Sequence, residues 1–255
     1  MDEKGNIAFH EGSSIRKIGD LYYFVFADDS RENRPTCLGY AIGKSPMGPF
    51  EYKGILIDNF GCDPSSWNNH GSIEKFNNQW YVFYHRSTNN SQKFRKTCIE
   101  PIYIKKDGTI DEVEMTSQGA GEPLKATETT QAEWACFLTG NVRITSLPSK
   151  DIKSEGLTEI KNEDTAIFKY LNFEKSISSF EVKTSSNTKG SIELRLDNAN
   201  GKIIGTCNLD AGVTNTAYKI SSCKINNISK GKHALHFTFK VVEGDTFSID
   251  SFQFK

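Results

Sequence analysis

The chain has 255 residues, with 31 Lys+Arg against 32 Asp+Glu, a formal net charge of −1 and 36% hydrophobic residues. This balance gives no electrostatic case for nucleic acid or an anionic membrane as partner. No apolar run approaches the roughly 18 residues needed to span a bilayer, and Met1-Asp2-Glu3-Lys4-Gly5 lacks the apolar core of a signal peptide.

In chain order, Ser14–Ile18 is a first β-type run. Gly19-Asp20 is a tight turn and Leu21–Phe26 the return strand, which together read as a hairpin. Leu38–Ile42 follows, then the turn Ser45-Pro46-Met47-Gly48-Pro49, then Phe50–Ile57. Four antiparallel strands in so short a span match one propeller blade. The plan restarts with Gly71–Phe76, the turn Asn77-Asn78 and the strand Gln79–His85. Thr97–Ile104 and the segment after Lys106-Asp107-Gly108 are expected to complete a second four-stranded unit. Both units read Ser-Ile-x-Lys-[Ile/Phe], a short turn and an aromatic strand, an internal repeat.

The stretch 121–130 reads as a linker between a first domain, 1–120, and a second, 131–255. Beyond it, Ile192–Leu196, Ala234–Phe239 and Phe247–Phe254 alternate strictly, as half-buried strands do. That spacing suits a single β-sandwich. No segment has helical periodicity beyond one or two turns. The six cysteines, Cys37, Cys62, Cys98, Cys136, Cys207 and Cys223, are scattered with no CxxC pair. They read as free or buried thiols rather than as a zinc site or a disulfide framework.

Several of these runs resemble glycoside hydrolase family 43. They are Phe9-His10-Glu11-Gly12-Ser13-Ser14-Ile15, Leu38-Gly39-Tyr40-Ala41, Ser45–Tyr52 and Trp67-Asn68-Asn69-His70-Gly71-Ser72-Ile73, which leads into Trp80–His85. The family comprises five-bladed propellers, mostly arabinofuranosidases and β-xylosidases that act with inversion. The second part resembles family 6 carbohydrate-binding modules through Gln131-Ala132-Glu133-Trp134, Glu193–Asp197, Gly201–Thr206 and Phe247–Phe252. The resemblance implies an all-β chain: about the last two blades of an incomplete five-bladed propeller, then a jelly-roll β-sandwich.

Inverting glycosidases place two carboxyl groups about 6.5–9.5 Å apart, one protonating the leaving oxygen and one activating water. The resemblance puts the general acid at Glu11, where burial near the propeller axis is expected to keep it protonated. On residues alone, an exposed loop glutamate is the alternative. His70, beside Asn68 and Asn69, matches a histidine near the pocket floor. Arg95 resembles a substrate-contacting arginine, with Arg86 and Lys96 as rivals. Trp67 is either an aromatic wall or core. The family's base aspartate has no counterpart here, and Asp2 is too isolated to stand for another acid. The chain is therefore expected to lack three upstream blades and to be inactive alone. A missing N-terminal propeller segment or a second chain would complete it.

In the module, Tyr170 and Tyr218 are the candidate sugar-stacking rings, and Ser248 stands where an amide is expected. Gln131, Glu133 and Asp250 match positions that hold a structural calcium, and no organic cofactor is implied. The expected function is hydrolysis of arabinose- or xylose-containing plant polysaccharides, which implies a secreted or periplasmic full-length protein. The alternatives are a non-catalytic carbohydrate-binding or docking fragment and a lectin-like structural β-protein.

Overall fold

The computed structural model describes residues 8–31, 36–62, 69–147, 154–174, 176–186, 188–210, 217–226, 228–242, 245 and 247–255. Among the described residues the elements are strands joined by turns, with one 3₁₀ turn at Ala132–Trp134. Two compact units result, one built on the first seven strands and one on the remainder.

In the first unit, β1 (Phe9–Ile18), β2 (Leu21–Asp28), β3 (Cys37–Gly43) and β4 (Phe50–Ile57) form an antiparallel sheet in sequential order. Gly19 at φ +59 makes the β1–β2 turn, a conformation that costs glycine little. β5 (Ser72–Phe76), β6 (Gln79–Thr88) and β7 (Ser91–Ile102) form the second sheet. Asn77 and Asn78, at φ +45 and +65, turn β5 into β6, as expected where both central residues are left-handed.

The second sheet has three strands, not the four expected. Residues after Gly108 bridge elsewhere, with Ile104 opposite Ile110 and Val113 parallel to Ile57 of the first sheet. Two stacked, buried tyrosines of that sheet hold them there. Tyr23 Oη donates to the Gly108 carbonyl at 2.7 Å. Tyr40 Oη donates to the Ile110 carbonyl at 2.9 Å and accepts the Ile110 N–H at 2.7 Å. Buried hydroxyls need partners, and this segment's backbone supplies them.

The second unit is a sandwich of two sheets. Its strands are β8 (Leu124–Lys125), β9 (Thr130–Gln131), β10 (Phe137–Leu138), β11 (Arg143–Ser146), β12 (Glu155–Ile160), β13 (Thr165–Phe173), β14 (Ser179–Ser186), β15 (Gly190–Leu196), β16 (Ile203–Leu209), β17 (Lys219–Lys224), β18 (Gly231–Val241) and β19 (Phe247–Phe254). One sheet runs β10-β13-β18-β15-β16, and the other β11-β12-β19-β14-β17. The Thr/Glu stretch expected as a linker is paired. β8 runs parallel to β13 through Leu124 and Leu171, and β9 joins β19 through Thr130 and Phe252. Alternate residues of the long strands meet between the sheets, where Phe168, Phe180, Phe237, Phe239, Phe252 and Phe254 are buried.

Candidate functional site

The start of β1 is irregular. Glu11 pairs with Ala27 and Ser13 with Phe26, with register shifts on either side of Glu11. Gly12, between them, has φ +49. Such a bulge bends the strand and re-aims a side chain. Further along β1, Ser14 Oγ donates to the Gly71 carbonyl and Arg16 Nε to the Ile73 carbonyl, each at 3.3 Å. These bonds lay β1 along the second sheet. Gly71 itself is closely hemmed in, because a Cβ there would lie 2.1 Å from the Phe83 carbonyl oxygen of β6 and 2.9 Å from Leu38 Cδ2 of β3.

The outcome is a carboxylate–imidazole pair: Glu11 Oε1 stands 3.3 Å from His70 Nε2. Side-chain exposure is 45% for Glu11 and 36% for His70. Glu11 is thus more open than the buried acid expected, because β1 is the edge strand of its sheet.

Behind the pair lies His85. The His70 backbone N–H donates to His85 Nε2 at 3.1 Å, and the two rings meet edge-on, 5.9 Å between centroids. Accepting at Nε2 leaves the ring proton on Nδ1, which is buried without a partner among the described residues. Burial first, then the charges of Arg95 and His70, push the His85 pKa down to about 4. His85 is therefore neutral near pH 7 and serves as a fixed acceptor behind His70. Arg95 is exposed on β7, where its Nε donates to the Gln92 carbonyl at 3.4 Å. Its rival Arg86 is turned to Cys98 Sγ, 3.2 Å away.

Asn69 is fully buried. Its N–H donates to Thr36 Oγ1 at 3.1 Å, and its amide side chain has no partner among the described residues. Trp67 lies outside the described residues. Sequence reasoning did not single out His85 or Gly12. The signal for His85 is the alternation along β6, which buries Val82 and Tyr84 on one face and turns His85 to the other.

Gly12 packs directly on the imidazole, so that a Cβ there would meet His70 Cδ2 at 2.9 Å. Gly12→Ala is expected to cost roughly 1–2 kcal/mol from the left-handed backbone alone. It should also shift the His70 ring resonances in an NMR spectrum. An unchanged His70 signal would separate Gly12 from the pair.

The sandwich candidates fall into two places. Tyr218, next to β17, shares a hydrogen bond of 2.9 Å with Ser248 Oγ of β19. Burial raises the Tyr218 pKa, so its hydroxyl stays neutral. Tyr170, on β13 of the opposite sheet, has Lys232 Nζ over its ring, 4.4 Å from the centroid. The structure therefore joins Tyr218 to Ser248 and sets Tyr170 apart. Among the expected ion-binding positions, Gln131 pairs with Ser251 across β9 and β19, beside Asp250. Asp250 Oδ2 accepts from Ser251 Oγ at 2.9 Å and lies 3.2 Å from Lys183 Nζ. Among the described residues no cluster of three or more His, Cys, Asp or Glu stands at metal-binding range.

Residues 2–110 match the family model of glycosyl hydrolases family 43. Residues 131–255 match that of the family 6 carbohydrate binding module. A xylosidase/arabinosidase of Thermoclostridium stercorarium is 34% identical over 91% of this chain and 53% of its own length. An arabinoxylan arabinofuranohydrolase of Bacillus subtilis (strain 168) is 29% identical over 96% of this chain and 51% of its own. The crystal structure of a family 43 arabinoxylan arabinofuranohydrolase from Bacillus subtilis, in complex with cellotetraose, superposes with a TM-score of 0.57. It is 28% identical and covers 97% of this chain and 54% of that chain. The chain spans about half the length of the curated relatives it matches.

Proposed function

We propose, for a chain that joins a family 43 glycosyl hydrolase segment to a family 6 carbohydrate-binding module, that Glu11 is the proton donor of an inverting glycosidase acting on arabinose- or xylose-containing plant polysaccharides. The observation behind this reading is the 3.3 Å approach of Glu11 Oε1 to His70 Nε2, on a side chain that solvent and substrate can reach. A proton donor needs a neighbour that holds its orientation and exchanges hydrogen bonds as its charge changes. His70 fills that role, steadied from behind by His85. Arg95, whose charge acts on His85, is the cation this reading assigns to substrate hydroxyls or to a second carboxylate. The names of the relatives support the substrate class.

Inversion also needs a carboxylate that activates water. The family motifs in these residues supply the donor and not the base. The base is assigned to a propeller segment or second chain outside residues 1–255. The expected result is that this chain alone releases no 4-nitrophenol from aryl α-L-arabinofuranosides or β-xylosides. Mixing it with a polypeptide that supplies an N-terminal family 43 propeller segment should restore release. Turnover by the chain alone would overturn this division of labour.

The sandwich is assigned to sugar binding. The Tyr218–Ser248 hydrogen bond fixes the ring that would stack on a sugar. A structural calcium would be held by Gln131, Glu133 and Asp250, whose oxygen donors suit that ion. Lys183 is the cation it would displace from Asp250. Chelation with EGTA is expected to lower the melting temperature of the sandwich, reversibly on adding calcium. A melting curve unmoved by chelator would remove the ion from the reading.

A further inference from the structure

Cys207 and Cys223 are separated along the chain but meet in the sandwich. β16 is the last strand of one sheet and β17 the last strand of the other. At this margin the sheets are laced together, since the Asn226 N–H donates to the Ile204 carbonyl at 2.7 Å. A Cβ on Gly205 would stand 3.1 Å from the Lys224 carbonyl. The contacts step forward along β16 as they step back along β17, so the two strands run antiparallel here. Three residues on from Ile204 is Cys207, and three back from Asn226 is Cys223. The register places one cysteine opposite the other. The two side chains are close enough to interact, and both thiols are free.

The two cysteines differ in setting. Cys207 is fully buried in the sandwich core, whereas Cys223 is partly exposed at its rim. We infer that Cys207 and Cys223 are a redox pair that closes to a disulfide joining the two sheets of the sandwich. Interaction with Cys223 first, and burial second, hold the Cys207 pKa above the ordinary thiol value, while interaction with Cys207 holds that of Cys223 below it. The exposed partner is thus the better nucleophile. The oxidant is a small-molecule or protein disulfide. Cys223 thiolate attacks one of its sulfurs and expels a thiolate, forming a mixed disulfide. Cys207 gives its proton to solvent, attacks Cys223 Sγ and expels the second thiolate. Two thiols of this chain and the oxidant's disulfide become one disulfide in this chain and the two thiols of the reduced oxidant. The bridge would close the segment 207–223, which includes Tyr218, and would lower the entropy of the unfolded chain.

The test uses the intact chain equilibrated in oxidised glutathione, then alkylated and digested without reductant. The expected result is a cross-linked peptide pair carrying Cys207 and Cys223, with Cys37, Cys62, Cys98 and Cys136 alkylated. Reduction with dithiothreitol should lower the melting temperature by roughly 5–10 °C, and Cys223→Ser should abolish that dependence. Alkylation of both Cys207 and Cys223 after oxidation, or cross-linking of either to another cysteine, would overturn the pairing. The wild-type peptide map decides this even if a variant folds poorly.

Discussion

Glu11→Gln is expected to lower turnover of unactivated arabinosides or xylosides by about 10²–10⁴-fold, once the chain is complemented by the rest of a propeller. Glutamine keeps the shape and the capacity to contact His70, but it has no proton to give. The loss should therefore fall on kcat for substrates whose leaving group needs protonation. A 2,4-dinitrophenyl glycoside leaves as a stable anion, so the same variant should lose much less on it. This contrast separates a proton donor from a residue that merely shapes the pocket, because a shape defect slows both substrates alike. Unchanged turnover of the unactivated substrate would take Glu11 out of the mechanism. The 3.3 Å contact with His70 would then be an ordinary polar contact at the edge of a sheet.

Phe237→Ala is expected to cost the sandwich about 3–5 kcal/mol, a large part of the roughly 5–15 kcal/mol that holds a domain together. Phe237 is completely buried, and its ring lies 5.2 Å from Phe168, 5.8 Å from Phe180 and 5.1 Å from Phe252 between centroids. Truncation removes apolar area and leaves a cavity that two hydrogen-bonded sheets cannot collapse to fill. Phe237→Leu, which keeps much of the volume, should cost far less. Calorimetry of the sandwich transition reads both variants. A shift equivalent to less than about 1 kcal/mol for Phe237→Ala would mean that the inter-sheet core is not built as described.

Much of this architecture is legible in local pattern. Ala234–Phe239 falls within β18 and Phe247–Phe254 is β19, but both segments are buried along nearly their whole length rather than on alternate residues, because each strand has a hydrogen-bonded neighbour on either side. The hairpin at Gly19-Asp20 and the Asn77-Asn78 turn form where the turn residues place them. Period-2 alternation and turn chemistry are properties of a few adjacent residues, so no distant contact is needed to read them. The segment after Gly108 shows the limit. Its polar–apolar pattern suits another strand of the second sheet, but Tyr23 and Tyr40 of the first sheet capture its backbone. The stretch 121–130 is likewise polar enough for a linker, yet Leu124–Lys125 and Thr130 pair with β13 and β19 of the sandwich.

The sequence by itself determined the all-β class, the change of pattern between the two halves, the family motifs and the nomination of Glu11 and His70. Only the tertiary structure decided that these two side chains meet at 3.3 Å and that His85 stands behind them as a neutral acceptor. It alone set Tyr218 against Ser248 and Cys207 against Cys223. Strand alternation tells each side chain which face it occupies, but not which strand lies across from it. That pairing depends on register, bulges and sheet order, which the whole chain settles together.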